Sequence, residues 1–251
     1  MKTIEERIIV IGDIHGERIW QEIINRHPGE KYVFLGDYCD PYNPGLSDSD
    51  VLENLKLIIQ LKKERPEDVA LLLGNHDIQY IHDEAYRCSR YMYDVSIRIS
   101  KLFKENIMFF EKVHHIGKVL FTHAGVTKEW FITTFNNAQT EDVVQAINEC
   151  RDTKALFACG LSRWGHELYG GIFWADKREF ENPLEGWTQV VGHSKVPEIS
   201  LKEIDKHTAI LFCDCLHSGK YLIMEHCSEA LYFYTTRIGE EEKELLYTVH
   251  L

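Results

Sequence analysis

Five short apolar segments of this 251-residue chain each run directly into a polar cluster in which glycine stands beside Asp, His or Asn. In chain order the clusters read GDIHG, GDYCD, GNHD, THAG and GHS. The apolar segments are rich in β-branched and aromatic residues, which predicts short strands. They occupy residues 7–11, 32–35, 69–73, 119–122 and 189–191. Glycine beside each cluster permits the tight turn in which such a strand ends.

The polar clusters stand where binding sites form in α/β proteins, because side chains that follow the strands converge beyond the carboxyl ends of a sheet. One glycine–aspartate pair after a strand usually marks only a turn, but independent turns do not explain five clusters after five strands. Their oxygen and imidazole donors, with no thiolate, suit Mn, Fe, Zn or Co better than calcium. Two metals about 3.5–4 Å apart that share a bridging carboxylate would use more ligands than a single metal needs.

The rest of the pattern predicts an α/β chain with helical insertions. Apolar spacing over residues 50–63 predicts a helix that Pro66 ends. Residues 78–113 and 127–160 are predicted as helical insertions, the second a helix-turn-helix that breaks at Asn136-Asn137. Neither a repeat nor a Pro/Gly-rich linker divides the sequence, so we expect a single domain over residues 1–251. Further strands are predicted at residues 209–212, 221–224 and 231–234.

Charge and cysteine usage limit the classes of protein that the chain can belong to. The formal net charge of −12 argues against broad binding to nucleic acid, which requires clustered Lys and Arg. No apolar run approaches the roughly 18 residues of a membrane span, and the N-terminal sequence lacks the pattern of a signal peptide. The seven cysteines are odd in number and form no C-x-x-C pair, so we expect reduced thiols in a cytoplasmic protein.

As a set, the five clusters resemble the motifs of the calcineurin-like metallophosphoesterases and, within them, of the phosphoprotein phosphatase family. That family's pattern reads GD-x-HG, GD-x-x-DRG, GNHE, a His-Gly-Gly-type turn and a late Gly-His. The resemblance extends over about residues 8–225, and the set of motifs is specific although the sequence between them is not. It implies a fold of two face-to-face mixed β-sheets flanked by helices.

The resemblance also implies a two-metal centre. Asp13 and His15 would hold one metal, Asp37 would bridge the two, and the remaining ligands would hold the second. Manganese is favoured, with iron, zinc or cobalt as alternatives. Metal-bound hydroxide would attack phosphorus in line and hydrolyse a phosphomonoester or a phosphodiester. The implied ligands are Asp13, His15, Asp37, Asn75, His123 and His193.

Two further residues resemble the family's proton donor and the carboxylate that orients it. His76 would protonate the leaving oxygen, and Asp40 would orient His76. A carboxylate on the far ring nitrogen is expected to fix the tautomer and to raise the pKa of the imidazole.

The pattern breaks where the family grips phosphate. The family continues its second motif with Arg-Gly, whereas this chain has Asp40-Pro41-Tyr42, and proline cannot give the planar, bidentate recognition that arginine provides. Arg178 is the preferred substitute, because relatives often carry an Arg shortly after a Trp at this stage of the chain. The substitutes considered are Arg87, Arg90, Arg163, Lys177 and Arg178.

The leading hypothesis is a hydrolase that acts on phosphate esters. Diadenosine tetraphosphatase-like and Ser/Thr protein phosphatase activities stay open within it, although the missing clamp and nearby tyrosines favour nucleotides or small phosphodiesters over phosphoprotein. A non-catalytic metal-binding scaffold is a more remote alternative, since every ligand position and the His76–Asp40 pair are present. A redox role for Cys213 and Cys215 is weaker still, because packing on a strand explains them. The oligomeric state stays open.

Overall fold

The computed structural model describes residues 3–136 and 143–251, and these residues form two β-sheets with helices outside them. The strands of the seven-stranded sheet are β1 (Ile4–Ile11), β2 (Lys31–Phe34), β3 (Val69–Leu72), β4 (Phe110–Glu111), β10 (Lys220–Cys227), β11 (Ala230–Arg237) and β12 (Glu244–His250). The strands of the five-stranded sheet are β5 (Val113–Ile116), β6 (Val119–Thr122), β7 (Thr188–Val191), β8 (Ser200–Asp205) and β9 (Thr208–Phe212).

The helices lie in the connections between these strands. They are α1 (Ile19–Arg26), α2 (Asp48–Glu64), α3 (Asn75–Ile78), α4 (Ser96–Glu105), α5 (Lys128–Phe135), α6 (Val143–Glu149) and α7 (Thr153–Leu156). The predicted helix at residues 50–63 is confirmed as α2, which begins at a reciprocal cap: the Ser47 side chain accepts from the Asp50 amide, and the Asp50 carboxylate accepts from the Ser47 amide. Within the described ranges, no helix has both the length and the apolarity that crossing a bilayer requires.

Both sheets are mixed, as the resemblance implies. The first has the order β12-β11-β10-β1-β2-β3-β4, in which β1 to β4 run parallel and β10 to β12 are antiparallel neighbours. The second has the order β5-β6-β7-β9-β8, with β6, β7 and β9 parallel. The parallel strands of each sheet therefore end at one edge, where their connections can build a site.

The two sheets pack face to face because their inner strands are apolar on both faces. Along β1, Ile8 and Val10 share a buried cluster with Phe121 of the second sheet. The alternating residue Ile9 points to the other side and packs in the cluster that includes Leu55 of α2. Such double burial explains why these strands are continuous apolar runs rather than alternating patterns.

Several elements differ from the sequence prediction. The eight predicted strands are present, but β4, β5, β8 and β12 were not predicted. β8 is a sheet edge with exposed Glu203 and Asp205, and β4 has only two residues, so neither has the apolar pattern of a buried strand. β12 is an edge of the seven-stranded sheet, and of its residues only Tyr247 and Val249 are buried.

The first insertion is less helical than predicted. Of residues 78–113, α4 is the main helix, while the stretch from 79 to 92 is loop that side chains hold against the site. The second insertion contains α5, α6 and α7. Asn136 ends α5 in the left-handed conformation, with φ 49°, as the predicted break requires. Asn137 and the rest of residues 137–142 lie outside the described residues.

Candidate metal centre and catalytic residues

The edge at which the parallel strands end brings together the predicted metal ligands. Asp13, Asp37 and Asn75 follow β1, β2 and β3 of one sheet, while His123 and His193 follow β6 and β7 of the other. All five side chains are buried, as is that of His15 two residues beyond Asp13. Residues that are far apart in sequence thus meet between the two sheets.

Two groups of donor atoms share one carboxylate. One ligand atom from each of Asp13, His15 and Asp37 lies within 4.8 Å of the other two, and the same holds for Asp37, His123 and His193. The sixth predicted ligand, Asn75, joins the second group: its Oδ1 lies 2.9 Å from His123 Nε2 and 2.9 Å from His193 Nδ1. Asp37 stands where a bridging ligand would stand.

In the second group, acceptor atoms face one another. His123 Nδ1 lies 2.8 Å from the Leu35 carbonyl oxygen and must donate to it, so Nε2 carries a lone pair. That lone pair faces Asn75 Oδ1 at 2.9 Å and Asp37 Oδ1 at 3.5 Å. The Asn75 amide nitrogen donates to Cys88 Sγ, which directs the oxygen into the group. Acceptors at such distances repel unless a cation lies among them, so the donor set fits a metal ion.

The first group shows the same logic at His15. Its Nδ1 lies 3.0 Å from the carbonyl oxygen of Cys39 and 3.1 Å from that of Asp40, so this nitrogen donates. Nε2 is left as a lone pair, 3.7 Å from Asp37 Oδ2. Burial lowers the pKa of both His15 and His123 to about 3, so each ring is in the neutral form that binds metal.

Buried negative charge accumulates on the carboxylates of the centre. Burial, and then the charges of Asp214 and Asp37, raises the pKa of Asp13 well above its usual value. Burial, and then Asp77, does the same to the pKa of Asp37. Since each shift reflects uncompensated charge in a site of low polarity, divalent cations would relieve it.

Left-handed backbone concentrates at these turns. His15, Asp37, Asp40 and His193 have φ between 43° and 60°, a region that residues other than glycine seldom occupy. Such strain persists only where surrounding contacts enforce it, and it clusters at functional sites.

Two glycines leave room for the carboxylates. A methyl group on Gly74 would overlap Asp37 Oδ1, and one on Gly192 would overlap Asp13 Oδ1. These positions require glycine because a carboxylate oxygen occupies the space beside the backbone.

Asp77 has a structural role that the sequence did not suggest. Its carboxylate accepts from the amides of Asp37, Tyr38 and Gly74 at 2.8 to 2.9 Å. It thereby ties the turn after β2 to the turn after β3. Burial raises its pKa to about 7 despite these three hydrogen bonds.

His76 and Asp40 form the predicted pair, with His76 Nδ1 2.6 Å from Asp40 Oδ2. Tyr80 and Gln79 also donate to the Asp40 carboxylate. The expected rise in the pKa of His76 is wrong: burial lowers it to about 3 and raises the pKa of Asp40 to about 7. Desolvation disfavours both charged forms and outweighs the attraction between them. The His76 ring lies 5.0 Å from that of His15, next to the first group of donors.

The predicted substitutes for the missing arginine lie in different surroundings. Arg178 is 64% exposed and binds Asp176, 2.7 Å away, so its contacts give the preferred prediction no support and its role stays a prediction. Arg163 also pairs with Asp176, at 2.6 Å, and donates to Ser194 Oγ beside His193. Arg90 contacts Asp40, which places it beside the His76–Asp40 pair.

One residue of the site was missed by sequence reasoning. Asp214 follows β9 just as Asp13 follows β1, and it is buried. It lines a cavity of about 260 Å³ together with Asp13, His15, Tyr42 and Lys195. The sequence contains the feature that could have indicated Asp214, since the predicted strand at residues 209–212 is followed two residues later by an aspartate, as the strand at residues 7–11 is.

The match to a family model agrees with the geometry. The model of the calcineurin-like phosphoesterases matches residues 6–215. The chain therefore belongs to the calcineurin-like phosphoesterase family, whose members depend on a dinuclear metal centre.

Two of the similar proteins are serine/threonine phosphatases. A PP2A-like serine/threonine-protein phosphatase, PPG1 of Candida albicans, is 36% identical over 86 residues, which cover 32% of this chain and 18% of that protein. The match thus spans less than a fifth of the relative's length. A serine/threonine phosphatase structure from Saccharomyces cerevisiae, described as similar to human PP5, has a TM-score of 0.55 at 16% identity and covers 90% of this chain and 74% of the other. At that identity the likeness is one of fold.

Proposed function

We propose that the protein is a metal-dependent phosphoric ester hydrolase. The observation that carries the proposal is the set of acceptor atoms of Asn75, His123 and Asp37 that face one another without an intervening hydrogen. The His76–Asp40 pair beside them supplies the group that a hydrolase needs for its leaving oxygen.

The proposed centre holds two divalent ions. Asp13 and His15 would bind the first and Asn75, His123 and His193 the second, with Asp37 between them. When bound, the ions would supply Lewis acidity and neutralise charge at the phosphoryl group. Manganese is favoured, with iron, zinc or cobalt as alternatives, because the donors are oxygen and imidazole nitrogen.

The proposed proton donor is His76. Its Nδ1 lies 2.6 Å from Asp40 Oδ2, so Nε2 is the nitrogen available to a leaving oxygen. Because burial keeps the His76 ring neutral and raises the pKa of Asp40 to about 7, the proton between the two groups would lie on Asp40, which leaves Nε2 with the hydrogen that it donates. Tyr80 and Gln79 hold the Asp40 carboxylate in turn, which fixes the ring against rotation.

Small phosphate esters are the proposed substrates. The cavity of about 260 Å³ beside Asp13 and His15 has room for a single ring system, and Tyr42 forms part of its wall. A nucleotide or another small monoester or diester fits this description. Protein phosphatase activity, which the names of the relatives suggest, is the second candidate.

We further propose that the chain forms a single domain. We also propose a cytoplasmic location, which the seven free cysteines support.

Metal content measured together with a substrate panel tests the proposal. The panel contains nitrophenyl phosphate, bis-nitrophenyl phosphate, a dinucleoside polyphosphate and a phosphopeptide, with Mn²⁺ and with EDTA as control. We expect about two ions per chain and turnover that EDTA abolishes. A protein that binds metal but turns over none of the four would instead be a metal-binding scaffold.

A further inference from the structure

Two cations beside the site have no carboxylate oxygen within ion-pair distance in the described part of the chain. Within residues 3–136 and 143–251, neither Arg90 nor Lys195 forms an ion pair within 4.0 Å. By contrast, Arg163 and Arg178 each form an ion pair with Asp176, whose single carboxylate they share, at 2.6 and 2.7 Å. Positive charge left free at the edge of a site is available to an anionic ligand.

The guanidinium of Arg90 has a free donor that is buried. Nε donates to the Asp40 carbonyl oxygen at 3.2 Å and Nη1 donates to Ser89 Oγ at 3.0 Å. Nη2 is buried and has no hydrogen-bond partner in the part of the chain that the structure describes. A buried donor without an acceptor is costly, so an oxygen of a ligand would stabilise this arrangement.

The backbone holds Arg90 in this position at a cost. Its φ of 62° lies in the left-handed region, as do those of several residues of the metal centre. Backbone strain of this kind at a residue other than glycine indicates that neighbouring contacts fix the residue where it is.

Tyr42 links both cations to the site. The Arg90 guanidinium carbon lies 3.5 Å from the centre of the Tyr42 ring, and Lys195 Nζ lies 4.7 Å from it. The same ring packs edge-on against His15, with centroids 4.7 Å apart. Arg90 Nε also donates to the carbonyl oxygen of Asp40, the residue that pairs with His76, so the guanidinium lies beside the proposed proton donor.

The position of Tyr42 in the sequence explains why these cations are where they are. Pro41 stands where the resemblance puts a phosphate-binding arginine, and Tyr42 is the next residue. Arg90 stacks on that tyrosine from the first insertion, about fifty residues later in the chain. The contact with Tyr42 thus places the Arg90 guanidinium beside the segment in which Pro41 stands instead of an arginine.

We propose that Arg90, with Lys195 as a second cation, binds the phosphate oxygens of the substrate in place of the arginine that Pro41 replaces. Nη2, the one nitrogen of the Arg90 guanidinium without a partner among the described residues, offers its donors to a phosphate oxygen. The inference rests on the proposed function, because it takes the ligand of the centre to be a phosphate ester.

Binding of inorganic phosphate to the metal-loaded protein, measured by calorimetry, tests the site without requiring turnover. We expect Arg90→Gln to weaken phosphate binding by tenfold or more, Arg90→Lys to weaken it less, and Lys195→Met to weaken it severalfold. Arg98→Gln removes the same charge from an exposed position on α4 and should bind phosphate as the wild type does. Metal content measured on each variant shows that the centre is intact.

The outcomes separate this proposal from the proposed function. If the wild type hydrolyses esters but Arg90→Gln and Arg90→Lys bind phosphate undiminished, the site is overturned while the function stands. The same conclusion follows if Arg178→Gln, rather than Arg90→Gln, abolishes binding. If phosphate binding depends on Arg90 but no ester is hydrolysed, the site is supported and the proposed function fails.

Discussion

Backbone carbonyls set the state of individual residues in the site. The carbonyl oxygens of Leu35 and Cys39 each accept from the Nδ1 of a histidine, His123 and His15 respectively, and so direct the Nε2 lone pairs inward. Burial keeps both rings neutral. The donors are therefore prepared for a cation before one arrives, which lowers the cost of ordering the site.

The role proposed for His76 predicts a leaving-group dependence. His76→Ala should slow hydrolysis of an alkyl phosphate by about 10²–10⁴-fold and that of nitrophenyl phosphate much less, since nitrophenolate leaves without a proton. Steady-state rates on the two esters measure the difference. His115→Ala, which changes an exposed histidine, is the control. Equal losses on both esters would remove His76 from the role of acid.

The space beside Gly74 predicts an effect on metal affinity. Gly74→Ala should weaken metal binding by tenfold or more, because the added methyl group displaces the Asp37 carboxylate. Its backbone φ of −109° is accessible to alanine, so the effect would come from overlap alone. A calorimetric titration with metal measures the affinity, with Gly45→Ala in an exposed turn as control. Unchanged affinity would show that Asp37 tolerates the shift.

At the scale of elements, an ion cluster joins the antiparallel strands β10 to β12 to the parallel part of the first sheet. Arg7 on β1 donates to Glu225 Oε1 on β10 at 2.8 and 3.0 Å, and Lys243 contacts the same oxygen at 2.5 Å. Burial alone would raise the pKa of Glu225, but the hydrogen bonds from Lys243 and Arg7 outweigh it and hold that pKa below the usual 4.5.

This cluster predicts a stability difference that depends on pH. Glu225→Gln should lower the free energy of unfolding by about 1–2 kcal/mol at pH 7, since it removes the carboxylate that pairs with Lys243 and one of the two that pair with Arg7. Because the folded-state pKa is depressed, the contribution is present above the usual Glu value of 4.5 and is lost as pH falls through the folded-state value. Urea unfolding of wild type and variant at a series of pH values from 7 downwards through the acid range measures it, with exposed Glu229→Gln as control. A difference that does not shrink at any pH below 4.5 at which the wild type still folds would contradict this account.

Comparison of the elements shows which of them the local sequence pattern predicts. Buried strands such as β3 and β7 are short apolar runs ended by glycine, and α2 has both helical spacing and a capping box, so the sequence predicts all three. The edge strand β8 carries exposed Glu203 and Asp205 and lacks an apolar run, so its pairing with β9 is what marks it as a strand. The composition of residues 79–92 predicts helix, whereas this stretch is a loop that hydrogen bonds from Tyr80 and Gln79 to Asp40 hold in place.

For the whole molecule, the centre lies between the two sheets, with donors contributed by both. Asp13 and Asp37 follow strands of the first sheet, and His123 and His193 follow strands of the second. Ions bound there would connect the halves of the fold in the native state only, because the unfolded chain cannot assemble these ligands.

Metal removal should therefore lower the melting temperature. Free metal at about 100 times its dissociation constant stabilises a site by about 2.7 kcal/mol, which for a chain of this size corresponds to about 5–10 °C. Thermal unfolding before and after chelation, and again after Mn²⁺ is restored, measures the shift. Asp37→Asn, which alters the carboxylate common to both groups, should lose most of the metal dependence. Identical melting curves with and without metal would argue against ions at this centre.

By itself the sequence determined the strand ends, the types of donor and the presence of a two-metal pattern. Those features are local: an apolar run, a glycine and the polar residue after it are adjacent in the chain. Tertiary structure decided the rest. The pKa of His76 depends on how deeply the ring is buried. Asp77 matters because its carboxylate accepts from amides about forty residues away. The guanidinium of Arg90, whose Nη2 has no partner within the described ranges, stacks on a tyrosine from another segment. Burial and long-range contact are properties of the folded chain, so the arginine missing at Pro41 could be noticed in the sequence but its substitute could be proposed only from the structure.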